Sequence, residues 1–65
     1  MTMVDHRRSR ILTAAQEVFA EHGFRSADVK TIAERAGVGK ATIYKFFDSK
    51  ESLLQTVVEE HLNHI

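Results

Sequence analysis

The spacing of apolar residues along the chain predicts four helices separated by short breaks. Within the segments 6–22, 28–36, 40–46 and 50–64, apolar residues recur three or four positions apart, the period of a helix with one buried face. All three glycines lie between these segments, and the chain contains no proline. No segment alternates apolar and polar residues over the length of a strand. The pattern therefore predicts an all-α fold.

The residues that recur at helical spacing define the expected core. In chain order they are Ile11, Ala14, Ala15, Val18, Phe19 and His22, then Val29, Ile32, Ala33 and Ala36, then Val38, Ile43 and Phe47, and finally Leu53, Leu54, Val57, Val58, Leu62 and Ile65. The fourth helix carries more apolar positions than the other three need. Contiguous exposed apolar surface is typical of a face that packs on a missing partner.

Residues with known preferences for helix ends flank the four segments. Gly23 and Gly37 stand where a left-handed residue ends a helix. Asp28 predicts an N-cap for the second helix, with Ser26 as the alternative, and Gly39 is an acceptable N-cap for the third. The fourth helix has two possible start signals of capping-box spacing, which are Asp48-x-x-Glu51 and Ser49-x-x-Ser52.

The second and third segments together predict a helix-turn-helix at about residues 28–46. Each is about two turns long, and the sequence Ala36-Gly37-Val38-Gly39 joins them. Because helices this short are unstable alone in water, contacts with the first and fourth helices must hold them. Two short helices joined by a glycine-containing turn are the outline of the motif that places its second helix in the DNA major groove.

The outward face of the third helix carries residues suited to DNA. With Ile43 and Phe47 inward, the remaining residues face solvent or the rim, and these are Lys40, Ala41, Thr42, Tyr44 and Lys45. Lysine donates to guanine, alanine and threonine methyls contact the thymine methyl, and hydroxyls reach bases or phosphates. Amides near Gly39 suit phosphate, Lys50 can hold the flanking backbone, and Lys30 can reach the groove rim.

Charge and composition narrow the choice of function. The nine basic and nine acidic residues give a net charge of zero, which counts mildly against DNA binding. The cations are grouped, however, so we expect one basic face, and its members are Arg7, Arg8, Arg10, Lys40, Lys45 and Lys50. The absence of cysteine excludes disulfides and thiolate metal sites. No apolar run is long enough to span a bilayer, so we expect no membrane partner.

The order of residues resembles that of a known family. The matching stretches are Gly23-Phe24, Ile32-Ala33-Glu34-Arg35-Ala36-Gly37-Val38, Lys40-Ala41-Thr42-Ile43-Tyr44-Lys45-Phe46-Phe47 and Ser49-Lys50-Glu51-Ser52-Leu53-Leu54. In identity and spacing they are similar to the N-terminal domain of the tetracycline-repressor (TetR) family of bacterial regulators. The resemblance covers most of the chain, from about Arg10 to Leu54.

The resemblance implies a small three-helix head, with the helix-turn-helix in its second and third helices, plus the start of a fourth, linking helix. It implies a homodimeric transcriptional repressor of the bacterial cytoplasm and nucleoid, whose two heads bind a palindromic operator in double-stranded DNA. It also implies a C-terminal domain that dimerises and binds a small-molecule inducer. Family members are much longer than this chain, so we expect residues 1–65 to be the DNA-binding domain alone.

The resemblance also implies roles for individual residues. Thr42 and Tyr44 match residues that contact phosphates or bases, Lys50 matches a phosphate contact, and the variable positions that set operator sequence are Lys40, Ala41 and Lys45. The chain departs from the family pattern at three places. Gly39 replaces a serine, which removes a hydroxyl contact to phosphate but leaves the amide. Ala27-Asp28 replaces a threonine pair. Phe46 replaces histidine or tyrosine, which favours a packing role for this residue.

Three other kinds of site fit the residues less well than DNA binding does. Gly37-Val38-Gly39-Lys40-Ala41 lacks the first glycine and the Ser or Thr of a phosphate-binding loop and follows a helix rather than a strand. His61 and His64 share a helical face but are too few for a metal site, so we expect no metal and no cofactor. No catalytic set can be assembled, so we expect no enzyme. The alternative that stays open is a helical protein-interaction module that presents the fourth helix to a partner.

Overall fold

The computed structural model describes residues 6–62, which form four helices. These are α1 (His6–Ser26), α2 (Val29–Ala36), α3 (Lys40–Phe46) and α4 (Lys50–Leu62), with no strand among the described residues. The all-α prediction is confirmed, and the predicted bounds of α3 match. Asp28 lies outside α2 because it is the cap rather than the first helical residue. The predicted end of α4, at residue 64, and Ile65 lie outside the described residues.

Gly23 bends α1 instead of ending it. Its φ of 78° confirms the predicted positive φ, but its ψ of 165° shows that the left-handed helical conformation expected there was wrong. Only glycine adopts this backbone conformation readily. After the bend the chain makes one more turn, closed by the Ala27 amide, which donates to the carbonyls of Gly23 (3.1 Å) and Phe24 (3.3 Å). This turn directs residues 24–27 toward the start of α2.

The core draws on all four helices. The largest fully buried side chains are Ile11, Val18, Ile32, Ile43 and Leu53, and the rest of the buried cluster is Leu12, Ala14, Ala15, Ala27, Val29, Ala33, Ala36 and Phe47. The predicted core is confirmed in α2 and α3. It was wrong for His22, which is exposed, whereas Val58 and Leu62, which are 48% and 60% exposed, form the excess apolar surface that the sequence predicted for α4. Leu12 and Ala27 were missed.

The α2–turn–α3 unit is held by packing and by its caps. The main helix pairings are α1 with α2, α1 with α4, and α2 with α3. Asp28 caps α2 by accepting from the Lys30 amide at 2.9 Å. At the other end Gly37 is left-handed (φ 74°, ψ 31°), and the Val38 amide donates to the Ala33 carbonyl at 3.0 Å. The left-handed Gly37 and the bond from Val38 to Ala33 are those of a Schellman motif. The predicted Asp28 cap and glycine turn are therefore confirmed.

The start of α4 settles the choice between the two capping signals. The hydroxyl of Ser49 accepts from the Ser52 amide at 3.1 Å, so the Ser49-x-x-Ser52 alternative is the one used. The Ser49 carbonyl also accepts from the Leu53 amide at 3.0 Å. No helix within residues 6–62 is long and apolar enough to cross a membrane.

Candidate nucleic-acid interface

The inward and outward faces of α3 differ as the sequence predicted. Ile43 is 1% exposed and anchors the helix, with Phe47 buried just beyond its end, whereas Tyr44 is 47% exposed. Lys40, Ala41 and Lys45 are exposed, and Thr42 is half-buried at the rim. A short helix attached by one apolar side therefore presents two lysines, a tyrosine and small residues to solvent.

The lysines on and beside this outward face are not paired with any acid of residues 6–62. No carboxylate in the described part of the chain pairs with Lys40, Lys45 or Lys30, all of which are exposed. Charges that are not already paired within the protein remain available to phosphate groups. The outward side of α3 and the adjacent start of α2 thus form a positively charged surface.

Acidic residues on the other side of the bundle do have partners. The Arg35 guanidinium donates to Glu21 Oε2 at 2.7 Å and lies 3.8 Å from Glu17 Oε1. The hydrogen bond from Arg35 lowers the pKa of Glu21 below its ordinary value, against the opposing effect of desolvation. Two acids of α1 therefore neutralise an arginine of α2.

The N-terminus of α3 is open. Gly39 has extended backbone (φ −81°, ψ 158°), and α3 has no side-chain cap. A Cβ built on Gly39 meets nothing within 4 Å. The first amides of a helix have no partner within the helix, so uncapped ones are free to bind an anion or water.

A cleft of about 450 Å³ runs beside α3 and brings together residues from all four helices. Its lining consists of Arg25, Ser26, Ala27, Asp28, Val29, Lys40, Tyr44 and Lys50. Three predicted site residues, Lys40, Tyr44 and Lys50, thus share one surface. Arg25 was missed by sequence reasoning, because its placement depends on the bend at Gly23. Asp28 adds an acidic residue to this lining, and its Oδ1 accepts from the Lys30 amide.

Lys50 is placed differently from the other lysines. Its ammonium donates to the carbonyl oxygens of Phe24 (2.8 Å) and Ala27 (3.0 Å). The same Nζ lies 4.5 Å from the centroid of the Phe24 ring, over its face. The side chain is therefore engaged within the protein, and sequence reasoning gave no sign of these contacts.

The N-terminal arginines do not all join the basic surface. Arg8 pairs with Glu60 of α4 at 3.2 Å and lies over the Phe47 ring, and Arg10 lines a separate groove between α1 and α2. The Arg7 guanidinium lies 5.6 Å from the centroid of the half-buried Phe46 ring, which has the packing role expected of it. The prediction that six cations share one face was wrong, because Arg8 is paired with Glu60 and Arg10 lies in the groove between α1 and α2.

The surface offers recognition chemistry rather than a metal centre. Among the side chains that the structure describes, no three metal-ligating groups come together. His64 lies outside the described residues, so the pair with His61 is not tested. Ammonium, hydroxyl and methyl groups along one exposed helix are the groups that contact base edges and phosphates in helix-turn-helix proteins.

Comparison with known proteins places this arrangement among transcription factors. The family described as bacterial regulatory proteins, tetR family, matches residues 11–57. The transcriptional activator FasR of Mycolicibacterium smegmatis is 41% identical over 61 residues, which cover 94% of this chain and 28% of FasR. The transcriptional regulator UidR of Escherichia coli is 45% identical over 51 residues, 78% of this chain and 26% of UidR. The transcriptional repressor KstR2 of Rhodococcus jostii is 37% identical over 59 residues, 91% of this chain and 29% of KstR2.

Proposed function

Because the chain belongs to the tetR family of bacterial regulatory proteins, we propose that it binds double-stranded DNA with α3 in the major groove. The observation that carries the proposal is the orientation of α3. Its apolar side is held in the core by Ile43, while Lys40 and Lys45 are exposed and no acid in the described part of the chain pairs with them. One such head covers one half-site.

In this proposal each residue on the outward face of α3 has a role in binding DNA. Lys40, Ala41 and Lys45 face the base edges and set sequence preference, while Thr42 and Tyr44 contact phosphates or bases. Three further contacts flank them, and these are the amide of Gly39, the side chain of Lys30 at the groove rim, and Lys50 at the first position of α4. A lysine that reads guanine contributes about 1–3 kcal/mol of discrimination against the wrong base.

The function of the intact protein is a further part of the proposal. The chain spans 26–29% of the length of the three relatives compared above. We propose that the remainder of the protein forms a homodimer and binds a small-molecule inducer, so that two heads bind a palindromic operator about 34–36 Å apart in successive major grooves. In this proposal the protein is a repressor in the cytoplasm, at the nucleoid.

Selection from random duplex DNA tests the proposal. The 65-residue chain is fused to a dimerising peptide, and bound duplexes are recovered and sequenced. We expect an inverted repeat, because two identical heads bind related half-sites. Recovery of no common sequence, with a fusion whose circular dichroism confirms folded helices, would contradict sequence-specific binding.

A protein-interaction module is the competing function, and one observation favours it. Val58 and Leu62 leave apolar surface exposed on α4. Paired variants separate the two functions. DNA binding predicts that Lys45→Ala changes the selected sequence while Leu62→Asp does not. The interaction module predicts that Lys45→Ala has no effect and that Leu62→Asp abolishes binding of a protein partner.

A further inference from the structure

Three cations line the cleft beside α3, and the two that come from α1 and α4, Arg25 and Lys50, are not equivalent. Arg25 is exposed, and no carboxylate of residues 6–62 pairs with it. Lys50 is half-buried, and its ammonium is bonded to two backbone carbonyls. A phosphate in the cleft therefore meets an unpaired guanidinium and an ammonium that already has protein acceptors.

The carbonyls bound by Lys50 bracket Arg25. They belong to Phe24 and Ala27, the first and last residues of the turn that follows the bend at Gly23. A lysine ammonium is one of the groups that hydrogen-bond to carbonyls at the end of a helix, and here it adds a second donor to the Phe24 carbonyl, which also accepts from the Ala27 amide. The same ammonium also makes a cation–π contact with the Phe24 ring. Lys50 thus ties the start of α4 to both ends of the segment that carries Arg25.

We infer that Arg25 is a phosphate-contacting residue of the DNA interface and that Lys50 is the positioning residue that holds the 24–27 turn, and with it Arg25, against the cleft. The inference rests on the proposed function, since it names how that interface meets the DNA backbone. A guanidinium binds a phosphate through two parallel hydrogen bonds, which requires a fixed approach. The amide of Lys50, in the first turn of α4, has no acceptor within the helix and can contribute as a backbone donor.

The salt dependence of DNA binding separates the two roles. For Arg25→Gln we expect weaker binding and a plot of log K against log salt whose slope is less negative by about 0.9, the loss of one phosphate contact. For Lys50→Met we expect a melting temperature lower by about 4–8 °C without DNA. Lys50→Met is also expected to loosen the 24–27 turn and so to weaken DNA binding. The double variant Arg25→Gln/Lys50→Met, however, should have the same slope of log K against log salt as Arg25→Gln alone. Arg10→Gln, in the separate α1–α2 groove, is the control and leaves the slope unchanged.

The wild-type chain supplies a measurement that does not depend on folding of a variant. Nitrogen-15 spectra of lysine side chains should show slow proton exchange for the Lys50 ammonium in the free protein and fast exchange for that of Lys30. The Lys50 signal should change little when DNA is added. The proposal is overturned if the double variant loses two phosphate contacts rather than one, if Arg25→Gln keeps the wild-type slope, or if the Lys50 ammonium exchanges as fast as that of Lys30. If the wild-type chain binds no duplex, the proposed function fails, while the exchange and melting results still decide the role of Lys50.

Discussion

The two sides of this small bundle differ in whether their charged side chains pair with one another. On the α1–α2 side, Arg35 is paired with Glu21 and Glu17, and the charges cancel locally. On the α3 side, no acidic side chain within the described residues pairs with Lys40 or Lys45. A chain with a net charge of zero therefore still has one surface suited to a polyanion, because no carboxylate of the described residues pairs with the lysines of α3.

The largest effect is expected for the residue that holds α3 in place. Ile43→Ala removes a side chain that is 1% exposed and should lower the free energy of unfolding by about 2–5 kcal/mol, a large share of the stability of a domain. Thermal unfolding followed by circular dichroism measures the loss. Tyr44→Ala, one residue along and 47% exposed, is the matched control and should change stability by no more than about 0.5 kcal/mol. Equal losses from both variants would contradict the inward and outward faces assigned to α3.

Removing a charge from each side tests the comparison directly. Lys45→Ala should weaken binding to the selected DNA by about 1–3 kcal/mol if the ammonium reads a base, with little change in melting temperature. Arg35→Ala should leave DNA affinity nearly unchanged, because its guanidinium is paired with carboxylates on the other side. Affinity is measured by fluorescence anisotropy with one duplex at one salt concentration. A larger loss of affinity for Arg35→Ala would reverse the assignment of the two sides.

The two glycines of the turn should respond differently to a side chain. Gly37 has a φ of +74°, so Gly37→Ser should cost about 1–2 kcal/mol of folding free energy. Gly39 has a φ of −81° and open space around it, so Gly39→Ser should stabilise α3 by a few tenths of a kcal/mol, about 1–2 °C in melting temperature, by adding the absent cap. Destabilisation by both substitutions would show that residue 39 is not a free N-cap.

The smallest effect concerns the pH dependence of the paired side. The pKa of Glu21 is lower in the folded chain than its ordinary value of 4.5. The ionised carboxylate therefore stabilises the fold at pH values above 4.5, and this stabilisation is lost as the pH falls through the lower pKa of the folded state. Glu21→Gln should therefore have a slightly lower melting temperature near neutral pH and lose less stability on acidification below 4.5. Parallel pH profiles for the two proteins would show that the pair with Arg35 contributes nothing.

Local signals in the sequence were enough to predict most of the fold. The inward positions Ile32 and Ile43 follow from helical period, and the cap at Asp28 and the left-handed Gly37 follow from residue preferences that act over a few positions. What failed depended on distant parts of the chain. The turn that follows Gly23 is bonded to Lys50 of α4, and the residues next to Gly23 do not by themselves specify its extended ψ or the exposure of His22.

The candidate site shows the same division. The outward residues of α3 could be predicted because Ile43 fixes which side faces the core. The internal bonds of Lys50 could not, since its acceptors lie 26 and 23 residues earlier in the chain. Arg25 lies in the cleft because the chain bends at Gly23. The residues around Arg25 in the sequence do not predict that it lies beside Lys50.

The central claim is that the outward side of α3 is the surface that meets DNA, and amide chemical-shift mapping tests it most directly. The nitrogen-15-labelled chain is titrated with a half-site duplex from the selection in about 50 mM salt, where phosphate contacts are strong. The account predicts that the largest shifts fall on residues 39–45, with smaller ones at Arg25 and Lys30 and almost none at Val58 and Leu62. Shifts confined to α4, or no shifts at all in this dilute buffer, would contradict it.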